Sequence, residues 1–439
     1  MKWNYTFIFL LCGTLFLNCC TLTGPEGLFG KKSPHEEYGK RLTAAGLTET
    51  TLGKLWFTAA EESLSKPLNV TIPYKEHGYF PAEKARATAI RFKAQQGEKL
   101  TIELSKKPLE NFTIYIDLWE AATNKNKKLL AYADTGDNGF SYEIDNSGEY
   151  IIRLQPELLS GGEYTLSITP SPSLAFPVQK GNIGSYWGAD RDDGIRKHEG
   201  IDIFASRGTP ALAAKDGTIG RVTTNKLGGN VIFMRPDNKS YTLYYAHLDT
   251  QLVSAGQKVK AGSAIGLVGN TGNAITTSPH LHFGIYTLNG AINPLAFVKP
   301  STKAVPAIKS NLSNVGKTMR TQNNFTNLRN GIEANAEVIS KLNANTIIEV
   351  YAAAGNSYQV TLPNGQYGFI TSTSVTPVSK YIRQLKLSSE KALYDKPVRT
   401  AASKSQLSSG TTVNILGSYE DFYFVEIEGN NGWISNSVQ

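Results

Sequence analysis

Histidines and an aspartate near the middle of the chain form the pattern that could do chemistry. Four of the six histidines fall within residues 198–282. In the run H-E-G-I-D, His198 and Asp202 are separated so that an extended chain points both to one side. Gly200, between them, leaves room for a third group. By itself this pair fits either a metal site or a hydrogen-bonded pair at the start of a strand.

A second run, H-L-H-F, places His280 and His282 on one face of a strand with apolar residues behind them. Two core histidines here would be costly, because each buried imidazole needs partners for both ring nitrogens. His247, in Y-A-H-L, taken alone fits a structural role. Two imidazoles and a carboxylate are nevertheless the ligand set of a hydrolytic zinc site, which keeps one position open for water. The remaining histidines, His35 and His77, are expected on the surface.

The order of these elements carries a family resemblance. H-E-G-I-D, Y-A-H-L-D and H-L-H follow one another, and a glycine-rich run at 266–272 precedes the last of them. With G-T-P at 208–210 and A-K-D-G at 214–217, they resemble the lysostaphin-type zinc endopeptidases (LAS, or duplicated hybrid motif, metallopeptidases) of bacterial cell walls. The resemblance covers about residues 186–294, roughly a quarter of the chain. It implies a compact antiparallel β-sheet with a groove across it.

The resemblance also implies a role for each of the five residues. His198, Asp202 and His282 correspond to the family's zinc ligands, and His247 and His280 to its two catalytic histidines that do not bind the metal. Zinc is therefore the expected cofactor. One catalytic histidine would take the proton of the attacking water and pass it to the leaving amine. The other would donate a hydrogen bond to the oxyanion, and which does which stays open.

Composition limits the class of protein. A chain of 439 residues predicts two to four domains, at roughly 100–200 residues per domain. With 40% hydrophobic and 19% charged residues and a mean hydropathy of -0.26, it is neither a polytopic membrane protein nor mainly disordered. A net charge of +8 favours anionic surroundings such as nucleic acid, lipid headgroups or acidic wall polymers.

The N-terminus predicts export and a lipid anchor. After Lys2, residues 5–17 carry no charge, but they are fewer than the roughly 20 residues that a membrane-spanning helix needs. The segment ends at Cys19 and Cys20 and resembles a bacterial lipoprotein signal, in which one cysteine is lipidated. The alternatives are an ordinary cleaved signal and an uncleaved anchor. We predict a signal peptide at 1–19 and a tether at 20–36. Aspartate is absent just after either cysteine, which favours the outer membrane.

Apolar periodicity predicts a mainly β, multidomain fold. Residues 37–169 show a helical start and then short alternating strands, which predicts an antiparallel β-sandwich. The stretch from Phe92 to Ile168 resembles the jelly-roll accessory domains found beside secreted peptidases. The zinc endopeptidase domain is assigned to 181–298, between linkers at 170–177 and 299–306. The apolar markers of the helical start are Leu42, Leu47, Leu52, Leu55 and Trp56.

A weak internal repeat follows the second linker. G-F-I at 368–370 recurs as G-W-I at 432–434, about 64 residues later, which is the size of a small five-stranded barrel. Both units resemble bacterial Src-homology-3-type (SH3-like) modules. They are assigned to residues 309–378 and 379–439.

We therefore predict a membrane-anchored zinc metalloendopeptidase that hydrolyses peptide bonds of peptidoglycan stems or cross-bridges through a zinc-activated water. Its predicted partners are peptidoglycan and, through the lipid anchor, the membrane; nucleic acid is not an expected partner. Its predicted location is the cell envelope outside the cytoplasm, at the outer membrane. One alternative is a non-enzymatic wall-binding or hydrolase-activating protein, with the N-terminal domain keeping the groove closed. Another is a zinc peptidase that acts on proteins.

Overall fold

The computed structural model describes residues 32–121, 127–299 and 303–436, which form a mainly β chain. The predicted signal peptide and its lipidated cysteine, Cys19 or Cys20, lie outside the described residues. Within the described ranges, no helix is both long and apolar enough to cross a bilayer. The chain passes through an N-terminal part of helices and strands, a sheet that carries the four clustered histidines, and two small C-terminal β units.

Two helices open the described chain. They are α1 (Pro34–Ala44) and α2 (Thr51–Ser65), separated by a 3₁₀ turn at Leu47–Glu49. Ser33 caps α1, since its side chain accepts a hydrogen bond from the Glu36 N–H while the Glu36 carboxylate accepts one from the Ser33 N–H. This capping box starts the helix inside the predicted tether at 20–36, so the tether is shorter than predicted.

The two helices pack on the N-terminal strands through one aromatic cluster. Leu42 of α1 and Trp56 of α2 are buried against Tyr115. The Trp56 indole N–H donates a hydrogen bond of 2.9 Å to the Pro156 carbonyl. The predicted helical start is present as these two helices; of the other apolar markers, Leu52 is half-buried, and Leu47 and Leu55 are exposed.

His35 contradicts the prediction that it is a surface residue. Its ring stacks on Trp56 with centroids 4.6 Å apart, and its Nε2 lies 2.7 Å from Oε1 of Gln155. Burial lowers the pKa of His35 to about 4. The prediction failed because His35 belongs to the first turn of α1, which extends into the predicted tether and packs the ring against Trp56 and Tyr115. His77, also expected on the surface, is half-buried in β2, which pairs with a strand on each side, and its Nδ1 lies 3.1 Å from Oγ1 of Thr165.

Nine strands complete the N-terminal part. They are β1 (Leu68–Asn69), β2 (Tyr74–Phe80), β3 (Thr88–Ala94), β4 (Glu98–Lys107), β5 (Ile114–Glu120), β6 (Lys128–Tyr132), β7 (Gly139–Glu143), β8 (Gly148–Pro156) and β9 (Gly162–Pro172). One sheet has the order β1-β3-β8-β5-β6, and β2, β9, β4 and β7 form a second. Buried residues of both sheets, such as Ile90 and Leu166, belong to one core. The predicted linker at 170–177 is partly structured, because β9 runs into it and Leu174 is buried.

The part of the chain that contains the histidine-bearing sheet follows. Its strands are β10 (Asn182–Ser185), β11 (Asp190–Arg191), β12 (Arg196–Lys197), β13 (Ile201–Phe204), β14 (Pro210–Leu212), β15 (Gly217–Asn225), β16 (Gly229–Pro236), β17 (Thr242–Gln251), β18 (Lys258–Val259), β19 (Ala264–Val268), β20 (His280–Thr287) and β21 (Gly290–Ile292). The helix α3 (Leu295–Val298) closes this part. The main sheet has the order β10-β13-β20-β17-β16-β15-β18, and β11 and β12 form a separate hairpin.

Two β units end the chain. The first has β22 (Thr318–Thr321), β23 (Thr326–Arg329), β24 (Val338–Leu342), β25 (Ile347–Ala354), β26 (Ser357–Thr361), β27 (Tyr367–Thr371) and β28 (Val375–Pro377). The second has β29 (Arg383–Lys386), β30 (Lys391–Tyr394), β31 (Ser403–Leu407), β32 (Thr412–Tyr419), β33 (Phe422–Ile427) and β34 (Asn430–Ser435). Each unit has its own apolar core, and Ile347 of the first packs against Phe422 and Trp433 of the second.

Strand pairing joins the first C-terminal unit to the N-terminal part. β25 pairs antiparallel with β2, so that one sheet of eleven strands runs through both. At this junction the buried Glu76 carboxylate accepts hydrogen bonds from the hydroxyls of Tyr74 and Tyr164 and from the Gln359 amide. The two parts therefore share both a sheet and a buried polar network.

Candidate active site

Three neighbouring strands, β13, β20 and β17, carry four of the five predicted site residues, and His198 lies in the loop just before β13 rather than on the same strand as Asp202. Asp202 on β13 lies directly opposite His282 on β20, and His282 also lies opposite Ala246 on β17. Residues that alternate with the site, such as Ile203 and Leu281, are fully buried on the other face. The period of two along each strand thus separates a polar face from the core.

His198, Asp202 and His282 meet at a single point. Nε2 of His198 lies 3.0 Å from Oδ1 of Asp202 and 3.0 Å from Nδ1 of His282. Nδ1 of His282 is likewise 3.0 Å from Oδ1 of Asp202. These three atoms form a compact group of one oxygen and two nitrogen donors, which is a possible metal site.

The tautomer of His198 leaves the lone pair of Nε2 directed at this group, which favours binding of a cation. Its Nδ1 lies 2.9 Å from the Tyr186 carbonyl oxygen, which can only accept, so Nδ1 carries the proton. In the neutral ring, Nε2 then points a lone pair at the Asp202 carboxylate. A tetrahedral zinc ion has bonds of about 2.0–2.1 Å, which would place its ligand atoms roughly 3.3–3.4 Å apart. The donor set and its spacing therefore fit zinc.

Asp202 is the anionic member of the group. Burial alone would raise the pKa of its carboxyl, but His198 and His282, when protonated, donate hydrogen bonds to it and add positive charge, which outweighs burial and holds that pKa well below its usual range. The other carboxylate oxygen, Oδ2, accepts a hydrogen bond of 2.8 Å from Nη2 of Arg191. Asp202 is therefore ionised, with one oxygen facing the histidines and the other held by an arginine.

His280 and His247 lie beside the three donors. Nδ1 of His280 donates to the Ser278 carbonyl at 2.8 Å, and its Nε2 is 4.0 Å from Oδ1 of Asp202. Nδ1 of His247 donates to the Thr271 carbonyl at 2.9 Å. The two rings have centroids 5.0 Å apart. With Nδ1 as the donor, Nε2 is the unprotonated nitrogen in the neutral form of each ring.

The position of His247 depends on an unusual backbone. His247 has φ of 60°, in the left-handed region that non-glycine residues seldom occupy. In a regular strand, residues 246 and 247 would face opposite sides, yet both Ala246 and His247 line the same groove. Burial lowers the pKa of His247 to about 4, so its imidazole is neutral at pH 7. Backbone conformations of this kind occur preferentially at functional sites.

Gly200 is required by the packing of His282. A Cβ at this position would lie 2.7 Å from Cε1 of His282 and 2.7 Å from the Phe283 carbonyl oxygen. The imidazole of His282 thus fills the space beside Gly200 that was expected to hold a third group. Any side chain at position 200 would displace that ring.

We expect Gly200→Ala to destabilise this part of the chain by about 1–3 kcal/mol and to weaken its metal binding, because the added methyl overlaps a ligand ring. Denaturant unfolding and zinc titration measure the two effects. Gly220→Ala is the matched control, since a Cβ there meets its nearest atoms only at 3.5 Å. Wild-type stability and metal affinity in Gly200→Ala would show that the ring position is not constrained in this way.

A groove of about 630 Å³ runs over the site. Phe204, Phe233, Tyr244 and Tyr286 contribute aromatic walls, and the Arg221 guanidinium lies 4.2 Å from the centre of the Phe233 ring. Every described residue that lines the groove lies between 185 and 286. The walls therefore come from the histidine-bearing sheet and its loops, without the N-terminal part or the C-terminal units.

The structure also reveals partners that sequence reasoning missed. The carbonyls of Tyr186, Ser278 and Thr271 fix the tautomers of three histidines, and every residue has a carbonyl, so no sequence signal marks them. Arg191 and Ser185 were missed because they lie outside the three motifs. Only the folded hairpin brings Arg191 to Asp202.

A family comparison decides the identity of this part of the chain. The description "Peptidase family M23" matches residues 196–294, the segment that contains all five site residues. Residues 196–294 are an M23 peptidase domain. The lysostaphin-type resemblance is thereby confirmed for this domain. The lipoprotein signal and the SH3-like modules stay predictions.

Several proteins are similar to the M23 domain and its surroundings. An uncharacterized metalloprotease of Haemophilus influenzae is 42% identical over 179 residues, which are 41% of this chain and 36% of that protein. The peptidoglycan DD-endopeptidase ShyC of Vibrio cholerae is 41% identical over 96 residues, 22% of this chain and 21% of that protein. The matched relatives also include a murein hydrolase activator, NlpD of Escherichia coli.

Among solved structures, the catalytic domain of lysostaphin from Staphylococcus simulans is 32% identical. The match covers 28% of this chain and 94% of that domain, with a TM-score of 0.26. The chain spans only about a fifth to two fifths of the length of the first relatives it matches, from 21% to 41%. The similarity thus concerns the M23 domain rather than the whole of any relative.

Proposed function

We propose that this protein is a zinc-dependent endopeptidase that hydrolyses peptide bonds in peptidoglycan stems or cross-bridges. The observation that carries the proposal is the donor group of His198, Asp202 and His282, at mutual distances of 3.0 Å, in an M23 domain. The similarity to a relative named as a peptidoglycan DD-endopeptidase supports the substrate class.

His198, Asp202 and His282 would hold the zinc ion. When bound, zinc supplies Lewis acidity and brings the ionisation of water close to neutral pH. His247 and His280 each have Nδ1 hydrogen-bonded to a carbonyl oxygen, so Nε2 is the nitrogen of each ring that can exchange a proton. One accepts a proton from the attacking water and passes it to the leaving amine; the other, in its protonated form, donates to the oxygen on which charge develops.

We further propose the N-terminal β part as a jelly-roll sandwich and the two C-terminal units as SH3-like modules that accompany the peptidase. A lipid at Cys19 or Cys20 would hold the protein at the outer membrane, within reach of the wall. The formal charge of +8 supports contact with anionic wall polymers and lipid headgroups. The relatives YgeR, named a lipoprotein, and NlpD support an envelope location.

The second candidate is a non-enzymatic activator of other wall hydrolases. The match to NlpD, which is named as an activator, favours it. The complete set of donors argues against it, since an activator has no need of His198, Asp202 and His282 at metal-binding distances. The groove walls also argue against closure by the N-terminal part, because they lie between residues 185 and 286.

Purified sacculi distinguish these candidates. We expect the protein to solubilise sacculi and to create new amino groups, and mass spectrometry of the fragments then identifies the bond. An unfolded protein such as reduced casein, incubated in parallel, should stay intact. Release from sacculi only when an amidase or another hydrolase is added would favour the activator. Cleavage of casein without release from sacculi would indicate a peptidase that acts on proteins.

A further inference from the structure

Arg191 makes a contact that neither the metal ligands nor the two further histidines explain. It lies on the hairpin of β11 and β12, which precedes His198. Its Nη2 donates to Oδ2 of Asp202 at 2.8 Å and to Oγ of Ser185 at 2.7 Å. The carboxylate is 10% exposed and the guanidinium 29% exposed, so this charge-assisted hydrogen bond is only partly screened by water.

The contact divides the two oxygens of Asp202 between different partners. Oδ1 faces His198 and His282, whereas Oδ2 faces Arg191. Carboxylates bind metals through one oxygen or through both, and a second oxygen would take up a coordination position. A hydrolytic zinc site needs three protein ligands and one open position. An arginine that occupies Oδ2 therefore keeps Asp202 to a single bond.

We propose that Arg191 is a positioning residue that restricts Asp202 to monodentate coordination through Oδ1 and so preserves the open position. The inference rests on the proposed metal site and adds a determinant of its coordination number. Arg191 contacts Oδ2 of Asp202 and Oγ of Ser185 rather than any of the three donor atoms, so its action is through Asp202.

The hairpin is anchored to the first ligand, which couples the position of Arg191 to the site. The His198 N–H donates to the Ala189 carbonyl at 2.8 Å, and the Gly188 N–H donates to the His198 carbonyl at 2.9 Å. Ser185, the second partner of Arg191, has its Oγ 3.4 Å from Nδ1 of His198. Arg191 thus contacts one ligand, Asp202, directly and lies one hydrogen-bond partner, Ser185, away from a second ligand, His198.

Lysine should be a poor replacement for Arg191. The guanidinium is a planar group with several N–H donors, which lets it hold Asp202 and Ser185 together, whereas an ammonium on a flexible stem acts as a point charge. Arg191→Lys therefore keeps the positive charge while changing the geometry. Arg191→Gln removes the charge and keeps a donor.

The test uses the full-length chain in detergent, with its metal replaced by Co²⁺, whose visible absorption is strong in four-coordinate sites and weak at higher coordination. We expect strong bands for the wild type and weak ones for Arg191→Gln. Zinc affinity, measured by competition with a chromophoric chelator, should fall by about 10–100-fold in Arg191→Gln. Arg191→Lys should recover part of the affinity without the wild-type spectrum.

Lys197→Gln is the matched control, because it breaks the ion pair with Asp190 on the same hairpin without touching a ligand. It should keep the wild-type spectrum and affinity. A wild-type spectrum and affinity in a folded Arg191→Gln would overturn the positioning role and leave the proposed function standing. A wild-type chain that binds neither Co²⁺ nor Zn²⁺ would instead overturn the proposed function itself.

Discussion

Replacing His282 by alanine should abolish zinc binding and with it all hydrolysis of sacculi. Nδ1 of His282 lies 3.0 Å from the donor atoms of both Asp202 and His198, so its removal leaves two of three protein ligands. Zinc sites with a hydrolytic role use three. Metal analysis after gel filtration should fall from one zinc per chain to a trace, and fragment release should fall to background.

The control for this variant is His77→Ala. His77 is a half-buried histidine in β2, outside the M23 domain, and contacts Thr165. It should retain the wild-type zinc content and activity, which separates loss of a ligand from loss of any histidine. Retention of one tightly bound zinc by His282→Ala would mean that the assigned ligand set is wrong.

Replacing His280 by alanine should leave zinc bound but reduce turnover by about 10²–10⁴-fold, the usual contribution of a general acid–base group. Its Nε2 is 4.0 Å from Oδ1 of Asp202, outside the group of donors that lie 3.0 Å apart. Zinc content and the rate of fragment release, measured on the same sample, test both halves of the prediction. Equal zinc loss in His280→Ala and His282→Ala would refute the division of roles.

The variant that tests His247 needs a side chain compatible with its left-handed backbone conformation. Because His247 has φ of 60°, alanine would add strain, whereas asparagine tolerates the left-handed region. His247→Asn should therefore fold and bind zinc like the wild type while losing activity. Wild-type turnover in His247→Asn would exclude His247 from proton transfer and from stabilising the oxyanion.

The M23 domain could be predicted from sequence because its site residues belong to short motifs of neighbouring residues. H-L-H lies on the single strand β20, where a period of two fixes which side chains share a face, and H-E-G-I-D runs from the loop before β13 into that strand. The structure brings His198, Asp202, His282, His247 and His280 to one groove, as the resemblance implied. The short strands predicted within 37–169 are likewise present as β1 to β9.

What sequence could not predict depends on contacts between distant residues. The pairing of β2 with β25 joins segments that are far apart in the chain, and no local pattern specifies a partner strand. His35 was misjudged because its burial requires α1 and Trp56 to pack together. The contact of Arg191 with Asp202 requires the β11–β12 hairpin to fold over the site. The left-handed conformation of His247 also has no marker in the sequence, since glycine or asparagine would be expected there.

The zinc content of the purified chain and its release of peptide fragments from sacculi together test the proposal that it is a zinc-dependent peptidoglycan endopeptidase. Both are measured before chelation, after chelation and after zinc is returned. We predict one zinc per chain and fragment release that disappears with the metal, returns with zinc and is absent in His280→Ala. A chain without zinc, or one that holds zinc yet releases no fragments and creates no new amino groups, would contradict the claim.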